Sequence, residues 1–260
     1  MSVYKNDYLD HLKEALDSLF NQTYPYIDIY IQQDGPLPQN IENYLNDLYN
    51  TKKITYLGKR NENKGLAYSL NELLKIVLKK YDYIARMDAD DISLPNRIEK
   101  QYSFMKNNLN IDLCGTFIKE FSLENNYKKI IRYPLDHEGC YKLFSSRNPF
   151  AHPSIIFRKS FFQKAGFYPT HTNCHEDTIL LLSGFLNGCR GANLNKVLLK
   201  FRIDKNFFKR RKKYKFSKLK DRLLIIQKLD YNWLHYSYPI IRFLIQCIPE
   251  FILKQIYKLR

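Results

Sequence analysis

The sequence predicts an α/β fold: a mostly parallel sheet flanked by helices, followed by C-terminal helices rich in basic and aromatic residues. Three observations predict it. Through the first 110 or so residues, segments with helical spacing alternate with short apolar segments, the pattern of parallel strands joined by crossover helices. Hydrophobic residues make up 45% of the 260-residue chain and aromatics 15%, enough to fill a core and exclude global disorder. Acids collect where the strand-like segments end, at Asp34 and at Asp88, Asp90 and Asp91, and ligands of such sheets bind at the carboxyl ends of the strands.

Taken in order, the chain opens with "MSVY", too short for a full strand of about five or six residues. Either the first strand is clipped or the start lies downstream of the true one. "YLDHLKEALDSLFN" (8–21) sets Leu9, Leu12, Ala15, Leu16 and Leu19 on one helical face. "IDIYIQQDG" (27–35) reads as a strand closed by the Asp34-Gly35 turn signal. "NIENYLNDLYN" is a second amphipathic helix, "KITYLGK" a second strand, "GLAYSLNELLKIVLKKY" a third helix and "YDYIARMDADD" a third strand. Ser93 is the expected N-cap of "LPNRIEKQYSFMKNN", with Pro95 in the first turn. Further on, "DLCGTFIKEFS" and "KKIIRYP" suggest strands, and "NPFAHPSIIFRKSFFQKAGFY" mixes strand, turn and short helix. Beyond residue 205 the chain turns basic and helical, then aromatic and apolar over 231–260, with no internal repeat and no flexible linker.

Lys and Arg total 42 against 26 acids, a formal charge of +16. Such an excess favours a polyanionic partner, whether nucleic acid, anionic membrane or phosphate-bearing substrate; a low-GC genome that writes Lys and Asn freely gives the same composition. The cysteines at 114, 140, 174, 189 and 247 form no CxxC pair and suit unpaired thiols in a reducing compartment. There is no signal peptide and no run of the roughly 18–20 apolar residues that spans a bilayer, so the expectation is a soluble or membrane-surface protein of the cytosol.

Asp88, Asp90 and Asp91 are the main chemical signal. Mg²⁺ and Mn²⁺ prefer oxygen ligands and are commonly shared between one or two carboxylates and a substrate's phosphates. An Asp-x-Asp at a strand end points two carboxylates into one crevice, while Asp91 either orients them or favours the following helix N-terminus. An acidic turn capping that helix is the plain alternative. No GxxxxGK[ST] or GxGxxG motif is present to support a P-loop enzyme or a dehydrogenase. In "NENKGLAYSLN", Gly65 either opens a helix N-terminus toward an anion or makes an ordinary bend. "CHEDTILLLSGFL" (174–186) sets Glu176 and Asp177 at the head of an apolar helix, as a proton acceptor or as a cap. Cys174 and His175 lack zinc-site spacing.

Together, "YLDHLKEALDSLFNQTY", "QQDG", "RNENKGLAYSLN", "RMDADDISLPNRIEKQ", "NPFAHPSIIFRKSFF" and "HEDTILL" resemble glycosyltransferase family 2, over roughly residues 2–215. The likeness is strongest to bacterial surface-polysaccharide enzymes of the amylovoran and O-antigen type. It implies a GT-A fold and an inverting transfer of a hexose or N-acetylhexosamine from a UDP-sugar to a lipid-pyrophosphate-linked sugar acceptor. By the resemblance, Asp34 meets the uracil, with Lys64 also on the donor nucleotide. Asp88 faces the ribose or sugar side and Asp90 ligates Mn²⁺ or Mg²⁺ on the diphosphate, with Asp88 beside the metal. Asp177 is the base, paired with Glu176, and His152 and Asp91 are acceptor-side or helper residues. Arg210 or Arg211 corresponds to a basic loop that closes over the diphosphate. Two departures stand out: "QQDG" replaces the commoner "VDDG", and the first strand is mostly absent.

The implied organisation is a GT-A catalytic domain over 1–215 and a membrane-associating helical segment over 216–260, working in the cytoplasm at the inner-membrane surface. In that tail Trp233, Tyr236, Tyr238, Phe243 and Phe251, with Lys209 to Lys213 upstream, suit an interfacial helix; a helix packed on the core is the other reading. Two rival functions remain. A nucleotidyltransferase also uses paired acids. A basic nucleic-acid binder would not cluster acids at strand ends, because they repel phosphates unless a metal intervenes, so no nucleic-acid partner is expected.

Overall fold

The computed structural model describes residues 1–122, 127–171, 175–203 and 214–247. Arg210, Arg211, the Lys209–Lys213 run, Cys174 and Phe251 lie outside the described residues. The alternation read from the sequence builds a parallel sheet first. Strands β1 (Ser2–Val3), β2 (Tyr30–Gln33) and β3 (Tyr56–Gly58) pair in that order, with helices α1 (Leu9–Phe20) and α2 (Gln39–Asn50) as the crossovers. Leu12, Ala15 and Leu16 of α1 and Ile41, Leu45 and Leu48 of α2 are buried, as their spacing requires.

Helix α3 (Leu66–Val77) leads into β4 (Tyr83–Ala85), the edge of a second sheet. That sheet runs β4-β8-β6-β9-β5, where β5 is Ile92–Ser93, β6 Leu113–Ser122, β8 Ile156–Arg158 and β9 Gly191–Arg202. Strand β7 (Tyr127–Ile131) continues along β6 beyond β8. The second sheet is mixed: β6 and β9 are parallel, whereas β4–β8, β6–β8, β6–β7 and β5–β9 are antiparallel. Residues 123–126 alone link β6 to β7, too few for a parallel crossover.

Helices α4 (Arg97–Asn107), α5 (His137–Phe144), α6 (Lys159–Ala165) and α7 (Glu176–Leu186) cover this sheet, followed by α8 (Lys215–Lys228) and α9 (Ser237–Cys247). The expected cap at Ser93 is not formed. Ser93 pairs opposite Leu199 in β5, and α4 begins only at Arg97, because the antiparallel pairing with β9 draws Ser93 into the sheet. Helix α8 joins the main core through Ile225 and Leu229, and the Tyr141 hydroxyl donates to the Leu229 carbonyl at 2.7 Å. Helix α9 instead exposes Ile240, Ile241, Leu244 and Ile245. No helix among the described residues is long and apolar enough to cross a membrane. Cys114, Cys140, Cys189 and Cys247 carry free thiols.

The short first strand leaves a mark. The Met1 ammonium donates to the Tyr30 carbonyl at 2.8 Å, and Ser2 and Val3 continue the pairing with β2. Between β2 and β4 lies a cavity of about 440 Å³ lined by Tyr30, Leu74, Tyr81, Tyr83 and Arg86, among others. Burial, and then the charge of Arg86, push the Met1 amine down to about 5.

Candidate active site

Asp34 stands just past the end of β2, followed by Gly35 at φ +85°. A β-carbon on Gly35 would meet the Asn63 amide nitrogen at 2.7 Å, so glycine lets the 60–65 loop close over the strand end. The loop wraps the Asp34 carboxylate. Arg60 donates to Oδ1 at 2.8 Å, the Lys64 amide to Oδ1 at 2.9 Å and the Gly65 amide to Oδ2 at 2.9 Å. Arg60 is braced in turn by Glu72 at 2.7 Å. Lys64 thus reaches Asp34 with its backbone, while its ammonium pairs with Glu62 at the surface. Three accepted bonds leave Asp34 about one free lone pair, on Oδ2.

The acidic loop between β4 and β5 is held by three arginines. Arg86 bonds Asp88 and the Met87 carbonyl, Arg97 donates to the Arg86 carbonyl at 2.8 Å, and Arg202 donates through Nε to the Asp90 carbonyl at 2.8 Å. The Arg202 amide also donates to Asp91 Oδ1 at 2.9 Å, fixing Asp91 as an internal anchor; its Oδ2 is buried without a partner. Burial and mutual repulsion both act on the acids here. Asp90 opens to solvent on one side, yet desolvation on the others, and then the charge of Asp88, push its carboxyl up to about 6. Burial first, then Asp88 and Asp90, push Asp91 well above the usual range. Asp7, in the turn before α1, belongs to the same cluster: burial, then the charges of Asp90 and Asp88, raise it to about 7.

Carboxylate oxygens gathered at a strand end are the donor set a hard divalent ion selects. Among the described residues no three His, Cys, Asp or Glu side chains stand close enough to hold an ion unaided. Mg²⁺ or Mn²⁺ fits such a site as an ion that completes its shell with phosphate oxygens and water.

The other wall carries Asp177, in the first turn of α7. Its Oδ2 accepts from the Asn148 side-chain amide at 2.8 Å and its Oδ1 from the Thr178 backbone amide at 2.7 Å. Asn148 is oriented by Arg222, which donates to Asn148 Oδ1 at 2.5 Å and to the Phe144 carbonyl at 2.8 Å. Glu176 is raised by burial and then by the charge of Asp177. His152 bonds the Tyr168 hydroxyl through Nε2 at 2.8 Å, and Tyr168 is fixed by both ends of the Asn71 amide. Burial, then Arg86, lower His152 to about 4, so it is neutral at pH 7. His152 lies within electrostatic reach of Arg86, Asp88 and Asp177, so the acidic loop and the head of α7 stand near one another.

The structure therefore brings Asp88, Glu176 and Asp177 into the neighbourhood of His152 and Tyr168, with Asp90 on the same loop as Asp88, Asp91 buried behind it and Asp34 at another strand end. Arg60, Arg86, Arg202, Asp7 and Asn148 are participants that were given no role from the sequence. Arg86 stands two residues before Asp88 in "RMDADD", a readable signal; nothing local marks Asp7 or Arg202.

Comparison with known proteins identifies the family and the fold. The profile described as Glycosyl transferase family 2 matches residues 1–167. A UDP-Gal:alpha-D-GlcNAc-diphosphoundecaprenol beta-1,3-galactosyltransferase of Escherichia coli is 30% identical over 225 residues, covering 85% of this chain and 79% of the relative. The O-antigen biosynthesis glycosyltransferase WbnJ of Escherichia coli is 35% identical over 210 residues, 78% of each chain. Among solved structures, S. aureus TarS 1-349 in complex with UDP superposes with a TM-score of 0.67 at 15% identity, over 94% of this chain and 70% of that one. Of a longer TarS chain this protein spans 42% of the length. That likeness carries the fold, which is GT-A; the profile match and the two enzyme relatives carry the membership, and this chain belongs to glycosyl transferase family 2.

Proposed function

We propose that this glycosyltransferase moves a hexose or N-acetylhexosamine from a UDP-sugar to a lipid-pyrophosphate-linked sugar, at the cytoplasmic face of the inner membrane, in bacterial surface-polysaccharide synthesis. The observation that supports this most is an acidic strand-end loop, Asp88 to Asp91, with a separately held carboxylate, Asp177, near it. A hydrolase of the two-carboxylate kind would need a second acid as nucleophile or proton donor beside the sugar. Here the acids are divided between a cation-seeking group and one acceptor-side base.

The roles follow from what each residue can do. Asp34, with the amides of Lys64 and Gly65, shapes the nucleotide end of the site, and its remaining lone pair suits the N–H of uracil. Asp90, with Asp88, would hold the Mn²⁺ or Mg²⁺, which when bound offsets the growing charge of the departing diphosphate. Arg86 orients Asp88. Asp177 accepts the proton of the acceptor hydroxyl as its oxygen bonds to the anomeric carbon. The bond from that carbon to the phosphate oxygen breaks on the opposite side, UDP leaves, and one displacement inverts the configuration. Asn148 and the Thr178 amide keep Asp177 aimed. The exposed apolar side chains of α9 support a membrane-surface location for a lipid-linked acceptor.

The test is transfer from a panel of UDP-sugars to lipid-diphosphate-linked GlcNAc or GalNAc, with Mn²⁺, for the wild type and Asp90→Ala. Metal-dependent transfer in the wild type and its loss in a folded Asp90→Ala support the reading. Activity with nucleoside triphosphates alone would favour a nucleotidyltransferase, and near-normal, EDTA-resistant activity of Asp90→Ala would remove the metal assignment.

A further inference from the structure

Helix α8 turns one polar face toward the head of α7. With 3.6 residues per turn, Ser217, Asp221, Arg222 and Ile225 fall on one side of it, and Ile225 is fully buried. The three polar members of that face hold either the start of α7 or the residue that holds Asp177. Asp221 ion-pairs with His175 at Nδ1, and the Ser217 hydroxyl lies 3.2 Å from the same nitrogen. His175 is 7% exposed and stands at the N-cap of α7, two residues before Asp177. Arg222 donates through Nη1 to the Phe144 carbonyl at 2.8 Å, at the last residue of α5, and its guanidinium lies over the Phe144 ring at 5.4 Å. Through Nη2 it donates to Asn148 Oδ1 at 2.5 Å. Asn148 Nδ2 then donates to Asp177 Oδ2 at 2.8 Å and to Thr178 Oγ1 at 3.0 Å. Burial, opposed by the charge of Asp177, lowers Arg222 to about 10, so it stays cationic at pH 7.

We infer that α8 sets the base: Arg222 is a positioning residue that acts through Asn148 on Asp177, and Asp221 fixes the same turn through His175. The inference rests on the reading of Asp177 as the acceptor-side base and names what aims it. The polarity of Asn148 decides the direction. A side-chain amide offers one acceptor oxygen and one donor nitrogen, whereas a guanidinium only donates. Arg222 is anchored on Phe144 independently of Asn148, where a cation meets the carbonyl end of α5. It therefore claims Oδ1, and Nδ2 is left to face Asp177. Without the guanidinium the amide is free to turn over and set its oxygen against the carboxylate, which repels the base instead of holding it. A misplacement of about 1 Å at a reacting group can cost roughly a hundredfold in rate. Because His175 and Asp177 flank Glu176, two adjacent residues of α8 grip one turn from two directions.

The experiment uses the full chain. Steady-state kcat and KM are measured with the UDP-sugar and lipid-diphosphate-linked acceptor that the wild type uses, and exchange of the Asn148 side-chain amide with water is followed by NMR. Arg222→Met keeps an apolar stem against Phe144 and removes the donors. It should lower kcat roughly 10–100-fold, the reach of coupling within one hydrogen-bond network, while KM for the donor stays within about twofold. In an Asn148→Ala background the same change should cost no further kcat, since a residue that acts through Asn148 then has nothing to act on. Arg222→Lys should recover part of the loss. The Asn148 amide protons should exchange at least about tenfold faster in Arg222→Met, once a charge-assisted bond is lost. Asn148→Asp keeps the Arg222 contact and turns an oxygen toward Asp177; it should lose as much kcat as Arg222→Met, and it decides the matter where Arg222→Met does not fold. Additive losses in Arg222→Met and Asn148→Ala, an unchanged kcat in either Arg222→Met or Asn148→Asp, or unchanged amide exchange overturns the inference. Amide exchange that depends on Arg222, in a protein whose transfer Asp177→Asn does not slow, keeps the positioning of Asp177 and defeats its reading as the base instead.

Discussion

Gly35→Ala tests the donor side at a position where geometry sets the magnitude. Gly35 adopts φ +85°, and an L side chain in the left-handed region costs about 1–2 kcal/mol. The added β-carbon would also lie 2.7 Å from the Asn63 nitrogen and 3.0 Å from the Glu62 carbonyl carbon. Both are backbone atoms, so no rotamer change relieves the clash and the 62–65 segment must move. That segment carries the Lys64 and Gly65 amides, each 2.9 Å from Asp34, and a hydrogen bond to a charged group is worth about 1.5–3 kcal/mol. Strain plus one weakened bond gives roughly 2–4 kcal/mol, a drop in Tm of roughly 5–15 °C for a chain of this size. Gly188→Ala is the control: φ is +71°, nothing lies within 4 Å of its β-carbon, and only the strain remains. Thermal unfolding of both variants, with UDP affinity by calorimetry, separates the effects. Gly35→Ala should lose more stability than Gly188→Ala and should also lose UDP affinity, which Gly188→Ala keeps. Equal Tm shifts and equal UDP affinities would show that the loop closure around Asp34 does not organise the site.

Asp177→Asn should keep UDP-sugar affinity while kcat falls by about 10²–10⁴, the usual range for a lost general base; collapse of donor binding in stopped-flow or calorimetric titration would make Asp177 structural. An apolar strand of four to six residues fused ahead of Met1 should raise Tm by filling the space between β2 and β4 and removing the buried amine. The sign follows from the folded amine titrating at about 5 against 8.0 unfolded: between those values the unfolded chain binds the extra proton, so the free amine costs about 1.4 kcal/mol at pH 7 and nothing above pH 9. The gain on extension should therefore be larger at pH 6 than at pH 9, and a gain that grows with pH would refute that part of the account. Replacing Ile241, Leu244 and Ile245 of α9 by Asn should reduce flotation with anionic liposomes; each is half exposed, and losing about 1 kcal/mol of burial apiece lowers partitioning roughly a hundredfold. Equal flotation of both proteins would exclude this face as a membrane contact.

The first half of the fold was legible because its signals are local. Apolar spacing put Leu12, Ala15 and Leu16 on the buried face of α1, and the Asp34-Gly35 turn ended β2 where the chain needed a left-handed residue. Ser93 misled for the opposite reason. Its side chain is a good helix cap, but its backbone is claimed by Leu199, more than a hundred residues away, and no local propensity carries that pairing. The mixed second sheet is hidden in the same way, since β6 draws its partners from β7, β8 and β9.

The site divides along the same line. Acids are readable because their clustering is costly and therefore conspicuous; the cations that make the clustering tolerable are not, because they arrive from elsewhere in the chain. Arg60 reaches Asp34 from the second crossover, Arg202 reaches Asp90 and Asp91 from the end of β9, and Arg222 orients Asn148 from α8. This gives the +16 charge a structural content that composition alone could not. Buried arginines fix acidic loops from within, while Arg147, Lys215, Lys218 and Arg242 line a cavity together with Asp177. A uniform excess from codon usage would scatter cations over the surface. An excess drawn partly inward, onto carboxylates and the side chains that hold them, is what an enzyme needs when acids carry its chemistry.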